Sequence, residues 1–98
     1  MEAAMYAVVR NYSGASQIFD ELESKKDDVE RVIRGVPGLV SYTLFRTTDG
    51  GVSVTVCQDK AGTDESVKVA AEWIRENITG GSNPPAISEG STILQLST

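Results

Sequence analysis

Residues 35–57 read GVPGLVSYTLFRTTDGGVSVTVC, and the rest of the chain is organised around this stretch. Gly35, Pro37 and Gly38 end a helix, because glycine suits a helix C-terminus and proline prevents the helix from resuming. Two β-rich runs follow, separated by a short polar segment that contains Asp49 and two glycines. The stretch therefore predicts a β-hairpin at the centre of a small α+β domain.

The turn of this hairpin decides which side chains share a face, and the residues allow two registers. A two-residue turn at Asp49-Gly50 pairs Phe45 with Val54, whereas a three-residue turn that adds Thr48 pairs Leu44 with Val54. We favour the second, because it collects six large apolar side chains on one face: Val40, Tyr42, Leu44, Val52, Val54 and Val56. The other face is then mixed, as expected of a subunit contact or a ligand surface, and we assign four of its residues to a subunit contact: Leu39, Thr43, Phe45 and Thr55.

The flanking segments predict two helices and two further strands. Residues 5–11 are apolar on both alternating faces, which is typical of a covered strand. Residues 16–34 and 63–78 carry apolar side chains at helical spacing, with Thr63 as an N-cap and Gly80-Gly81 as a stop. Residues 86–97 predict a last strand with a break at Glu89-Gly90, and residues 92–97 are its better-defined part.

The predicted order is β-α-β-β-α-β, which is the ferredoxin-like arrangement. Two helices cover one face of an antiparallel four-stranded sheet, and all 98 residues form a single domain. No further segment remains to cover the opposite face. That face is either polar and wet or packed against a second subunit, and we expect a homodimer.

Composition excludes several classes of partner. A net charge of −5, with nine basic residues in all, does not suit nucleic acid, since phosphate binding needs a basic patch. No apolar run approaches the roughly 20 residues that span a bilayer. The start, Met1-Glu2-Ala3-Ala4, lacks the basic region of a signal peptide, and one cysteine allows no intrachain disulfide. We therefore expect a cytoplasmic protein with neither a nucleic-acid nor a membrane partner.

The residues that usually hold metals or perform catalysis are scarce. The chain has no histidine and one cysteine, so an ordinary transition-metal site is not expected, and no spaced aspartate loop offers a calcium site. Cys57 has no histidine to activate it and is interpreted as an inert thiol. Tyr6, Tyr42 and Trp73 are the candidate ligand-binding residues, and a packing role is the alternative for each. We expect no cofactor.

The strand of residues 38–46, GLVSYTLFR, follows a Pro-Gly and resembles the strand after the first helix in the antibiotic biosynthesis monooxygenase family. The similarity extends more loosely from the first strand to Trp73. It implies a dimeric α/β barrel, in which two sheets face each other, and a pocket between helices and sheet. Heme-degrading members of that superfamily use an Asn, a Trp and a His. This chain has Asn11 and Trp73 but no histidine, so axial heme ligation of that kind is absent.

Three functions remain open at this point. The first is a small dimeric barrel protein that binds a small apolar or aromatic molecule. The second is a cofactor-independent monooxygenase that acts on an aromatic substrate, with Tyr42 and Trp73 in its pocket. The resemblance allows this because quinone-forming members act on polyphenols with few obligatory side chains. The third is a structural or regulatory dimer with a filled core.

Overall fold

The computed structural model describes residues 5–79 and 84–98, and it has four strands and three helices within them. The elements in chain order are β1 (Tyr6–Tyr12), α1 (Ser16–Ser24), α2 (Lys26–Arg34), β2 (Leu39–Thr47), β3 (Gly50–Cys57), α3 (Lys60–Asn77) and β4 (Ala86–Ser91). The strands form an antiparallel sheet in the order β2-β3-β1-β4, which confirms the ferredoxin-like α+β fold. No helix among these residues is long and apolar enough to cross a membrane. The predictions made for Met1-Glu2-Ala3-Ala4 and for Gly80-Gly81 fall outside the described residues.

The first predicted helix is two helices, because the chain leaves helical geometry at Lys25 (φ −115°, ψ 23°). The break coincides with residues 24–28, where the apolar stripe is weakest. Lys25 Nζ also donates a 2.6 Å hydrogen bond to the carbonyl oxygen of Asn77, which ties the break to the end of α3. The prediction of one continuous helix is therefore wrong here, and the bend becomes a fixed feature of the helix layer.

Two other boundaries differ from the prediction. Helix α3 begins at Lys60 because Asp59, and not Thr63, is its N-cap: Asp59 Oδ1 accepts a 3.0 Å hydrogen bond from the backbone N–H of Gly62. Strand β4 ends at Ser91, so the strand expected at residues 92–97 is wrong. Ser91 lies opposite Tyr6, the first residue of β1, and beyond it one more backbone hydrogen bond, 2.8 Å from the Thr92 N–H to the Met5 carbonyl oxygen, joins the two segments.

The hairpin register is also different from both alternatives. Phe45 pairs with Val52 and Thr43 with Val54, around a tight turn at Thr48-Asp49, with an irregularity between Leu39 and Ser41. Asp49 fixes this turn to the loop after β1, since its Oδ2 accepts from the Gly14 N–H at 2.8 Å and its carbonyl accepts from the Ala15 N–H at 2.9 Å. The prediction placed Gly50 and Gly51 in the turn, whereas in the structure both are the first residues of β3.

This register exchanges the two faces of β3. Ser53, Thr55 and Cys57 are no more than 1% exposed and lie on the side of the sheet that the helices cover. Helix α3 packs against this face with residues that are also small and buried, namely Gly62, Thr63, Ser66 and Ala70. Small side chains on both sides allow the helix and the strand to lie close together. The valines of β3 lie instead on the opposite face, which no helix covers among the described residues; Val52 and Val54 are half-buried there, whereas Val56 is 5% exposed. The more apolar face of the hairpin is thus the open one.

Candidate functional site

A cleft of about 600 Å³ lies between α1, α2 and the edge strand β2. Its floor is apolar and its rim is charged, with both signs present. The residues that line it are Phe19, Leu22, Glu23, Lys26, Val29, Glu30, Ile33, Arg34, Leu39, Val40, Ser41, Tyr42, Leu44, Phe45 and Arg46. We call this space the outer cleft. Its size and lining are those of a site for a small organic molecule.

Arg46 crosses from β2 to α1 at the rim of the outer cleft. Its Nη2 lies 2.7 Å from Asp20 Oδ1 and its Nε lies 3.3 Å from Glu23 Oε1. The hydrogen bonds to Asp20 and then to Glu23 raise the pKa of Arg46, although the group is exposed to solvent. The contact therefore positions the rim and is not expected to add much stability.

A second space of about 30 Å³, the inner cavity, lies deeper between the helices and the sheet. It is lined by Arg10, Tyr12, Leu22, Val29, Val32, Ile33, Tyr42, Leu44, Ser53, Ala70, Trp73 and Ile74. Five side chains line both spaces, namely Leu22, Val29, Ile33, Tyr42 and Leu44. The outer cleft and the inner cavity are therefore neighbours, separated by one layer of mostly aliphatic side chains.

The inner cavity contains polar groups that are out of contact with solvent. Arg10 is only 2% exposed, and its Nη1 donates a 3.2 Å hydrogen bond to the hydroxyl oxygen of Tyr12. Two atoms of its lining residues, Arg10 Nε and Ser53 Oγ, find no hydrogen-bond partner among the described residues, and neither does Thr55 Oγ1, whose residue is buried but does not line the cavity. Unpartnered buried polar atoms are rare in folded proteins, and each of them calls for an explanation.

Tyr42 stands between the two spaces as a neutral phenol. Burial raises the pKa of Tyr42 above its ordinary value of 10.0, and the nearby Arg10 guanidinium opposes this without reversing it. The hydroxyl therefore keeps its proton at physiological pH and can donate a hydrogen bond to an oxygen of a ligand.

The raised pKa of Tyr42 predicts a loss of stability in alkali. The folded protein holds this proton more tightly than the unfolded chain, whose tyrosine pKa is near 10.0, so the free energy of unfolding should fall as the pH rises above about 10. Tyr42→Phe is expected to make that decline shallower and to leave the slope below this range unchanged. Urea unfolding at stepped pH measures both slopes, and equal alkaline slopes in the two proteins would contradict the prediction.

The structure brings together two of the three predicted ligand-binding residues. Tyr42 and Trp73 both line the inner cavity. Tyr6 lines neither space, and its ring lies 5.8 Å from Lys60 Nζ near the other end of the sheet. Sequence reasoning missed Arg10, although a signal was present: Arg10 lies two residues after Val8, and alternate strand residues share a face, so a core-facing Val8 places Arg10 inward.

The four residues predicted for a subunit contact divide between the two faces. Thr43 and Phe45 lie on the open face, opposite Val54 and Val52, and Phe45 of the edge strand β2 also lines the outer cleft. Thr55 is fully buried on the helix side, and Leu39 lines the outer cleft. The division follows directly from the observed register, because one step of slip exchanges all side chains of a strand between faces.

Cys57 offers no reactive thiol in this arrangement. It is fully buried, and burial followed by the charge of Asp59 raises the pKa of its thiol. A thiol that keeps its proton is a poor nucleophile. Over residues 5–79 and 84–98, no group of three or more His, Cys, Asp or Glu side chains lies close enough to hold a metal ion.

No protein-family profile and no curated protein matches this sequence, whereas several solved structures resemble it. NE2512 from Nitrosomonas europaea, a protein of unknown function, has a TM-score of 0.71 at 16% identity, over 97% of this chain and 94% of that one. The monooxygenase ActVA-Orf6 of Streptomyces coelicolor, solved with the ligand nanaomycin D, has a TM-score of 0.62 at 23% identity, over 97% and 92%. SnoaB of Streptomyces nogalater, a cofactor-independent oxygenase, has a TM-score of 0.57 at 18% identity, over 97% of each chain.

This chain has the fold of the antibiotic biosynthesis monooxygenase-like proteins. The resemblance seen in the strand of residues 38–46 is thereby confirmed for the fold. Identities of 16% to 23% carry the fold and not the chemistry. The activity of this chain therefore has to be argued from its own cleft and cavity.

Proposed function

We propose that this chain forms a homodimer and that each subunit binds a small aromatic molecule in the outer cleft. The observation that carries the proposal is the cleft of about 600 Å³ with an apolar floor, which adjoins a cavity lined by Tyr42, Trp73 and the buried Arg10. Aromatic and aliphatic walls supply affinity, and a few convergent polar groups supply orientation. The complex of ActVA-Orf6 with nanaomycin D supports the proposal, since a protein of this fold binds a small organic ligand.

The open sheet face supports the homodimer. Val52 and Val54 are only half-buried there, and the side chain of Phe45 is 46% exposed. The segment after β4 adds three more exposed apolar side chains, Ile93, Leu94 and Leu96. Exposed apolar groups at this density are typical of a protein–protein interface. A second copy of the chain, packed sheet to sheet, covers such a face as the barrel arrangement implies.

Ligand binding is tested by thermal unfolding in the presence of a dihydroxynaphthalene. A ligand that binds only the folded state raises the melting temperature in proportion to the logarithm of its concentration. We expect such a rise, and we expect it to shrink in Trp73→Phe and in Tyr42→Phe because both side chains line the inner cavity. Tyr6→Phe is the matched control and should keep the full rise, since Tyr6 lines neither space.

A dihydroxynaphthalene that leaves the melting temperature unchanged would contradict this proposal and favour a purely structural or regulatory dimer. Equal loss of the rise in the Tyr6→Phe control would place the ligand outside the cleft.

A cofactor-independent monooxygenase is the second candidate function. It is favoured because Tyr42 and Trp73 meet in one cavity next to a cleft, and because ActVA-Orf6 and SnoaB are oxygenases of this fold. In such a reaction one oxygen atom enters the substrate and the other leaves as water, and a polyphenol that becomes a quinone supplies the two electrons and two protons. Oxygen uptake with the same dihydroxynaphthalene tests it. Uptake that Tyr42→Phe and Trp73→Phe do not reduce would remove these residues from the site.

The remaining parts of the proposal concern the cellular location of the protein and its other binding partners. We place it in the cytoplasm, where the buried thiol of Cys57 stays reduced without protection. No cofactor, metal, membrane or nucleic acid enters the proposed function.

A further inference from the structure

We infer that the inner cavity recognises an acidic oxygen on the aromatic ligand, a carboxylate or a phenolate, and that Arg10 is the residue that binds it. This inference rests on the proposed function, because it names the class of molecule that the same site takes. In this arrangement the ring of the ligand occupies the outer cleft, and its acidic group reaches the inner cavity.

The position of Arg10 is unusual for a charged residue. It lies on β1 between Val8 and Tyr12, on the face that the helices cover, and is only 2% exposed. An arginine side chain keeps its positive charge in proteins, so this charge is buried together with the side chain. Burying a charge without a partner is costly, and arginine in such places is nearly always paired.

No carboxylate pairs with Arg10 among the described residues, although the chain has 14 Asp and Glu in all. The acidic side chains that form ion pairs do so at the surface, with Arg31, Arg34, Arg46 and Lys60. A purely structural arginine would be expected to have taken one of them as a partner. The buried guanidinium of Arg10 is therefore available to bind the anionic group of a ligand.

The groups around Arg10 are arranged as hydrogen-bond donors. Arg10 Nε has no partner, and neither does the hydroxyl of Ser53, which lies directly opposite Arg10 in the β1–β3 ladder. The Tyr12 hydroxyl accepts from Arg10 and so keeps its own proton free to donate. The neutral phenol of Tyr42 adds a further donor on the wall shared with the outer cleft. Carboxylate and phenolate oxygens only accept, which makes them the complementary groups.

The sizes of the two spaces fit this division of the ligand. The inner cavity, at about 30 Å³, has room for the oxygen of one acidic group but not for an aromatic ring. The outer cleft, at about 600 Å³, accommodates the ring system. The aliphatic side chains that line both spaces must part slightly as the acidic group passes, and Leu44 of β2 and Val29 of α2 are two of them.

The test compares matched ligands by isothermal titration calorimetry on the intact protein. Naphthoate and naphthamide share a ring and differ in charge, and para-nitrophenol and para-nitroanisole form the second pair above the pKa of the phenol. We expect the charged member to bind roughly ten- to a hundredfold more tightly than the neutral one, which is the value of a charge-assisted hydrogen bond in a buried site. The first pair reports on carboxylates and the second on phenolates, so the two sources of an acidic oxygen are distinguished.

The variant Arg10→Met separates binding from structure. It should abolish the preference for the charged ligand while neutral naphthamide keeps its affinity. It should also raise the melting temperature, because an unpaired buried charge is replaced by an apolar side chain of similar length. Arg75→Met is the matched control, since it removes one positive charge from the exposed end of α3 and should preserve the preference.

Each result decides between the proposals. Equal affinity for naphthoate and naphthamide, and for the two nitro compounds, would overturn the role of Arg10 and leave aromatic binding intact. Binding of none of the four ligands would overturn the proposed function and this inference with it. If Arg10→Met fails to fold, the wild-type comparison still decides the preference, and Ser53→Ala then tests the cavity through a partial loss of it.

Discussion

Gly51→Ala is expected to destabilise the fold by about 2–3 kcal/mol, which is the usual cost of overpacking a core. A methyl group at this position would overlap the ring of Phe19. That ring cannot move aside cheaply, because it is 3% exposed and makes an edge contact with Tyr12 at a centroid distance of 5.8 Å. The melting temperature should fall by on the order of 10 °C in a domain of this size.

Gly90→Ala is the matched control for this substitution. Gly90 also lies in a strand, yet a methyl group there meets nothing within 4 Å. Its effect should stay within about 0.5 kcal/mol. Urea unfolding of the two variants beside the wild type measures the difference. Equal stability of both variants would mean that Phe19 does not pack on β3 as described.

Phe45→Asp is expected to dissociate the proposed dimer. Phe45 is the largest exposed side chain of the open face, and it lies opposite Val52. A carboxylate in its place would be buried without a partner once a second sheet packs there, so the dissociation constant should rise by at least about a hundredfold. Sedimentation velocity over a range of concentrations measures the change.

Gln17→Asp is the control for the added negative charge. Gln17 is exposed on α1, which lies on the other side of the sheet, so this variant should remain a dimer. A wild-type protein that sediments as a monomer would contradict the dimer. A dimer that persists in Phe45→Asp would place the interface elsewhere on the surface.

The element order could be predicted from sequence because each signal was local. Pro37 and Gly38 mark the end of a helix, the valines of β3 mark a strand, and the helical apolar spacing of α3 is regular. What failed were features that other parts of the chain decide. Lys25, at the helix break, contacts Asn77 at the end of α3, and β4 ends at Ser91, opposite the first residue of β1. Neither partner is visible in a local pattern.

The hairpin register failed for a different reason. Collecting the apolar side chains toward the core is a sound rule for a chain that folds alone, but here the valine face is the uncovered one. An apolar strand face that no helix covers suits the second subunit that we propose, and a pattern read from one chain does not reveal whether a partner covers that face. The close packing of small residues between β3 and α3 gives the physical reason for the choice.

The candidate site was predicted in part. Tyr42 and Trp73 were predicted as ligand-binding residues because aromatic residues with polar atoms are common in pockets; both line the inner cavity, and their role stays a prediction. Arg10 was missed because a lone arginine in a strand is usually solvated, and only its burial and the lack of a carboxylate partner make it significant. Burial of this kind is a tertiary property, so the residue that we consider decisive for ligand choice could not be singled out from its neighbours in sequence.

We propose that an aromatic ligand occupies the space between helices and sheet, and Trp73 allows a direct test because it is the only tryptophan in the chain. Its indole N–H gives one signal in an amide correlation NMR spectrum, and that signal reports on the inner cavity. Titration with naphthoate should move this signal in a saturable way, with smaller changes at Tyr6. A Trp73 signal that stays in place at saturating naphthoate would contradict this proposal.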